Sequence, residues 1–203
     1  MELILRIGVD LDNTIICYDE AFVKIARQEN LISPEFEYNS KTEVRDFIRE
    51  LLNGEYEWQR LQGLVYGKLI MQAKLFNGVA EFFAQSAEKN IDLYIVSHKT
   101  ELAHHDPEKT NLRVSALKFL ENHGFFDKLS MKRENVFFES TREEKINRIK
   151  NIGCKIFIDD LPEVLLDKSF PSNCQKIFFS QIPEDGLKNT SSWQQIKEQI
   201  FYE

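Results

Sequence analysis

The sequence predicts an α/β protein: a doubly wound, Rossmann-like parallel sheet with a small helical insertion. Three observations carry this. Short apolar runs recur without polar alternation, which suits strands covered on both faces. Helical periods fall between those runs, which implies βα alternation. Residues 18–75 break the rhythm, with helical stripes and no convincing strand.

The strand runs are "LILRIGVD" (3–10), "IDLYIVS" (91–97), "NVFF" (135–138), "CKIFIDD" (154–160) and "QKIFF" (175–179). Within the insertion, Ala21, Phe22, Ile25 and Ala26 form one stripe. Val44, Phe47, Ile48, Leu51 and Leu52 form a second, and Leu61, Leu64, Val65, Leu69 and Leu75 a third. Val79, Phe82 and Phe83 mark a helix before the second strand. Leu112, Ala116, Leu117 and Leu120 mark another, with Gly124 placed to end it. Ser140 followed by Glu143 reads as a capping box that starts a helix near Thr141, with Ile146 and Ile149 buried. Asp160, Pro162 and Glu163 announce a helix directly after a strand. The domain reading is a core of 1–17 and 76–203 with an insertion at 18–75.

A chain of 203 residues with 42% hydrophobic content can bury a sizeable core. The net charge of −7 argues against binding polymeric nucleic acid, which rests on basic surface. No apolar segment approaches a membrane span. The N-terminal stretch lacks the basic and long apolar regions of a secretion signal. Cys17, Cys154 and Cys174 form no CxxC pair, and reduced thiols fit a cytoplasmic protein.

Ligands of open α/β sheets collect at the carboxyl ends of strands. Three such ends here are polar: Asp10-Leu11-Asp12-Asn13-Thr14, Ser97-His98-Lys99-Thr100, and Asp159-Asp160. Asp10 and Asp12 fall on one face of an extended chain, about 6–7 Å apart. One of the two can attack phosphorus while the other handles the leaving-group proton. Attack of an anion on a phosphate needs added positive charge. Mg²⁺ held by Asp10 and Asp159 supplies it, with Lys145 neutralising the remainder. Ser97 can donate its hydroxyl to a phosphate oxygen, and His98 can contact the leaving group. Asp160 is equally explained as a helix N-cap, and Thr14 as a loop support. His104, His105 and Asp106 read as a solvated loop, and Tyr56, Trp58 and Tyr66 as core packing within the insertion.

Four ordered motifs resemble the haloacid dehalogenase (HAD) superfamily of phosphohydrolases. "VDLDNT" is similar to its first motif, DxDxT, and "IVSHKT" to the second. Lys145 in "STREEKI" is similar to the third, and "IFIDDLPEV" to the fourth. The insertion is similar to the C1 cap of that superfamily. Lys145 precedes Asp159 by fourteen residues, a short spacing that resembles the 5'(3')-deoxyribonucleotidase branch. The resemblance implies a phosphomonoesterase acting on a small phosphorylated metabolite, a nucleoside monophosphate or a sugar phosphate. It implies Asp10 as nucleophile and Asp12 as general acid and base. Ser97, His98 and Lys145 would meet the phosphate. Asp10, Asp12 (by its backbone carbonyl), Asp159 and Asp160 would meet Mg²⁺. Dehalogenases of the superfamily lack an acid at the place of Asp12, so carbon–halogen chemistry is not expected. A phosphomutase would use the same two acids, and a non-catalytic module could keep the fold and bind a phosphorylated ligand or partner.

Overall fold

A computed structural model describes residues 4–35 and 37–202. The expected start of the first strand at Leu3 lies outside them. In chain order the elements are β1 (Arg6–Val9), β2 (Ile16–Cys17), α1 (Asp19–Gln28), α2 (Lys41–Arg49), α3 (Gly54–Tyr66), β3 (Lys74–Leu75), α4 (Val79–Glu88) and β4 (Asp92–His98). There follow α5 (Leu112–Asn122), β5 (Val136–Glu139), α6 (Arg142–Ile152), β6 (Ile156–Asp159), α7 (Pro162–Leu165), β7 (Gln175–Phe179), β8 (Asn189–Thr190) and α8 (Trp193–Phe201).

The main sheet has six strands in the order β5-β4-β1-β6-β7-β8, all paired in parallel. The chain winds outward from β1 through β4 to β5, then returns to the other side of β1 for β6, β7 and β8. The strand order therefore reverses at β1, between β4 and β6. That is where a doubly wound sheet opens a crevice at its carboxyl ends. Ile7 and Val9 of β1 are fully buried, as expected for a central parallel strand. Gly8 between them is required by packing: a Cβ there would lie 2.5 Å from the Phe157 ring and 2.9 Å from Cys154 Sγ.

The chain divides into two compact units. One comprises Met1–Ile16, Leu75–Lys99 and His123–Glu203, and holds the six-stranded sheet. The other comprises Cys17–Lys74 and Thr100–Asn122, and is helical. The sequence reading placed 100–122 in the sheet unit. Here α5 and the loop before it group with α1, α2 and α3 instead. The chain passes between the units at the short paired strands β2 and β3, which apolar periodicity left unseen.

In the sheet unit, α6 and α7 pack Ile146, Ile149, Val164 and Leu165 with Val96, Phe157 and Phe178 of the sheet. The helix α6 begins one residue later than expected. Thr141 is the N-cap and Glu144 its partner, because Thr141 and Glu144 have the same three-residue spacing as Ser140 and Glu143. Gly153 ends α6 at φ 73°, a left-handed backbone that glycine adopts without strain. Phe82 of α4 meets Trp193 and Phe201 of α8 at ring separations of 5.0 and 5.2 Å.

In the helical unit, Phe22 stacks on Trp58 at 5.1 Å and meets Tyr66 edge-on at 5.6 Å. The expected packing role holds for Trp58 and Tyr66, whereas Tyr56 is exposed and lies against His105 at 4.3 Å. The stripe read from Val44 to Leu52 overran its helix. The backbone turns at Asn53 (φ 60°) and Gly54, and Leu52 is 92% exposed. Among the described residues, no helix is long and apolar enough to cross a membrane.

Candidate active site

The polar strand ends of β1, β4 and β6 come together at the reversal point. Asp10 continues the β1–β6 ladder by one bond, its N–H donating to Ile158 O at 2.9 Å. The chain then folds tightly: Ile15 and Ile16 N–H both donate to Leu11 O, and Asn13 takes a positive φ of 60°. Asparagine tolerates that conformation better than most residues. Behind this turn the Trp193 indole, fully buried, donates to Thr14 O at 3.0 Å. No local signal in the sequence pointed to Trp193, which is 179 residues away from Thr14.

Lys145 is the centre of the arrangement. It lies in the first turns of α6 with no solvent exposure. Its Nζ is 2.6 Å from Asp10 Oδ1 and 2.7 Å from Asp159 Oδ2. Asp159 is itself fully buried and accepts a bond from Leu161 N–H at 3.0 Å through Oδ1. The N-cap role considered for Asp160 therefore falls to its neighbour: Leu161 is the N-cap residue of α7, and the Asp159 side chain meets its N–H. Asp160 Oδ1 accepts a long 3.5 Å bond from the Thr14 hydroxyl.

Carboxylate oxygens of Asp10, Asp159 and Asp160 all lie within 4.8 Å of one another. Among the described residues they are the one such group able to hold a metal ion; His104, His105 and Asp106 do not form one. Burial pushes Asp10 well above the ordinary carboxylate range, Lys145 opposes this, and Asp159, Asp160 and Asp12 push it further up. Burial also raises Asp159, again opposed by Lys145. Burial alone would lower Lys145, but the charges of Asp10 and Asp159 outweigh it and raise the ammonium above its usual value. With all three acids ionised, one lysine leaves excess negative charge. An all-oxygen donor set with that excess fits a hard divalent cation such as Mg²⁺.

The other expected residues lie at the ends of β1 and β4. Ser97 is 1% exposed at the end of β4, and its Oγ has no hydrogen-bond partner. A buried hydroxyl without a partner is costly unless something else meets it. His98 is exposed and its Nε2 is 2.9 Å from Ser140 O, so its ring braces the turn before α6. Asp12 pairs through Oδ2 with Lys99 Nζ at 2.6 Å. The sequence placed Lys99 at the polar end of a strand run but gave no sign of this pairing, since a pairing across the sheet leaves no local pattern.

No family model and no curated protein matches this chain. Solved structures do match it along almost its whole length. A HAD-superfamily hydrolase of subfamily IA from Geobacter sulfurreducens superposes with a TM-score of 0.59 at 13% identity, covering 97% of this chain and 96% of the other. The chain shares the fold of HAD-superfamily hydrolases. A crystal structure described as a dehalogenase aligns with a TM-score of 0.57 at 12% identity, covering 98% of each chain. The HAD-hydrolase YfnB from Bacillus subtilis, bound to magnesium, aligns at 0.57 and 12% identity, covering 98% of this chain and 100% of its own.

Proposed function

We propose that this chain is a Mg²⁺-dependent phosphomonoesterase that works through an aspartyl-phosphate at Asp10. The observation that carries this reading is the fully buried Lys145 bridging Asp10 and Asp159 at the point where the strand order reverses. Asp10, Asp159 and Asp160 would hold the ion, with the Asp12 carbonyl as a further ligand. Bound there, Mg²⁺ would offset the negative charge of the acids and of the phosphate.

The steps belong to the side chains. An Asp10 oxygen forms a bond to phosphorus as the ester P–O bond breaks, and Asp12 gives its proton to the departing alcohol oxygen. Water then attacks phosphorus, Asp12 takes up its proton, and the Asp10–phosphorus bond breaks to release phosphate. The Ser97 hydroxyl donates to a phosphoryl oxygen, which gives its unpartnered Oγ a partner. Lys145 holds Asp10 in place and balances charge. Such catalysis rests on positioning and charge stabilisation. His98 supports the site indirectly, through the Ser140 carbonyl.

The acid at position 12 favours phosphate over carbon–halogen chemistry, because the dehalogenases of the superfamily this chain resembles lack one. The short Lys145-to-Asp159 spacing leads us to a nucleoside monophosphate as substrate, ahead of a sugar phosphate. The helical unit begins at Cys17, after the turn that carries Asp12, and resumes at Thr100, directly after Lys99. From those insertion points we read it as a C1-type cap that selects the organic part of the substrate. The test is phosphate release from p-nitrophenyl phosphate. Turnover is expected with Mg²⁺, and neither in EDTA nor in Asp10→Asn. Equal, negligible turnover in all three would favour a module that only binds a phosphorylated ligand.

A further inference from the structure

We propose that Lys99 is a positioning residue that acts through Asp12, holding its carboxylate where it can exchange a proton with the leaving oxygen and then with water. This rests on the phosphatase reading above. The Lys99 Nζ to Asp12 Oδ2 distance is 2.6 Å, and the side chains are 2% and 18% exposed respectively. The acid is therefore reachable and the lysine lies beneath it.

Both ends of this pair are anchored. The Asp12 backbone sits in a bridge with Ile16, next to the tight turn at Asn13. Lys99 N–H donates to Glu139 O at 2.9 Å, extending the β4–β5 ladder past His98 and Glu139. The Glu139 side chain is held in turn by Arg148 at 2.6 Å. Asp12's remaining freedom is rotation about its own side-chain bonds, and an ion pair to a fixed lysine removes most of it. Asp12 also stays out of the group of oxygens formed by Asp10, Asp159 and Asp160. The two acids of "DLD" thus have separate lysines: Lys145 for the acid that bonds to phosphorus, Lys99 for the acid that moves the proton.

The test compares kcat/KM for p-nitrophenyl phosphate, whose leaving group departs without help, and phenyl phosphate, whose leaving group needs a proton. Lys99→Met keeps most of the length of the unbranched side chain and removes the charge. A well-placed acid or base contributes on the order of 10²–10⁴ in rate. Lys99→Met should therefore lose about tenfold more activity on phenyl than on p-nitrophenyl phosphate, in the same direction as Asp12→Asn. Adding Lys99→Met to Asp12→Asn should cost nothing further. Equal losses on both esters, or an undiminished further loss in the Asp12→Asn background, would overturn the assignment. If Lys99→Met does not fold, the comparison of Asp12→Asn with the double variant decides alone, provided both melt as folded proteins, since Asp12→Asn keeps the shape of the side chain and the double variant leaves neither partner as an unpaired charge. Equal activity of those two supports the proposal, and a further loss overturns it. A wild-type protein inert on both esters with Mg²⁺ would instead overturn the phosphatase reading, and this assignment with it.

Discussion

The two units treat charge in opposite ways. In the sheet unit, buried Lys145 of α6 faces Asp10 and Asp159 at the ends of β1 and β6, and buried Lys99 after β4 faces Asp12. In the helical unit, charges pair near or at the surface: Arg49 with Glu55, Lys74 with Glu20, and Arg60 with both Glu29 and Glu57. Exposed pairs gain little because water and salt screen them. Buried charges cost several kcal/mol each to desolvate, and they persist where geometry and chemistry require them. The contrast makes the hidden pairs at the strand ends the candidates for function, and gives the wet pairs little weight.

The sharpest way to break this contrast is Lys145→Met. It leaves Asp10 and Asp159 buried without their cation, which costs about 3–5 kcal/mol. Urea denaturation in EDTA should show that loss, and added Mg²⁺ should recover part of it by binding only the folded state. An unchanged midpoint would mean that the pair is not a buried unit.

Next comes Trp193→Phe. The ring is largely kept, but the Thr14 carbonyl loses its donor inside a dry interior. The expected cost is about 1–3 kcal/mol. Turnover should fall as well, because the turn carrying Asp12 loosens. Thermal melting and the phosphate-release assay check both.

In the helical unit, Asp106 accepts from the Thr110 hydroxyl and amide and pairs with Lys68. The Thr110 bonds, chiefly, hold its carboxyl well below the ordinary range. A depressed carboxylate contributes stability above its unfolded pKa, and that contribution disappears as pH falls through the folded value. Asp106→Asn should lower the Tm at neutral pH. The deficit should shrink progressively below about pH 4, where the unfolded acid is already protonated. A deficit independent of pH would contradict the ionised role. The smallest effect is expected of Arg49→Ala, whose melting curve should overlay the parent's, as for most exposed pairs.

The same contrast decides what could be read in the sequence. The sheet unit was legible because five of its six strands are continuous apolar runs and three of those end in the residues of interest. Asp10, Ser97 and Asp159 stand where the runs stop, so a fold class and a candidate site followed from one pattern. Its long-range links were not legible. Neither the Lys99–Asp12 pair nor the Trp193–Thr14 bond has a local signature. In the helical unit, periodicity found α1, α2 and α3 but overran α2, because Leu51 and Leu52 continue the spacing past the turn at Asn53, and α3, which ends at Tyr66 before Leu69, while Leu75 lies in β3. It also missed that 100–122 belongs there. That grouping rests on the backbone at Gly63, where a Cβ would come within 2.9 Å of His104 O, and on Lys68 reaching Asp106 and Glu108. A polar loop carries no period from which such contacts can be inferred.

The reading of the hidden charges stands or falls on where a phosphoryl group goes. Protein mixed with p-nitrophenyl phosphate and Mg²⁺, quenched in acid within one turnover and digested, should carry phosphate on the peptide containing Asp10. The label should be absent in EDTA and in Asp10→Asn. Brisk Mg²⁺-dependent turnover with no label on that peptide, or with full activity in Asp10→Asn, would contradict the account.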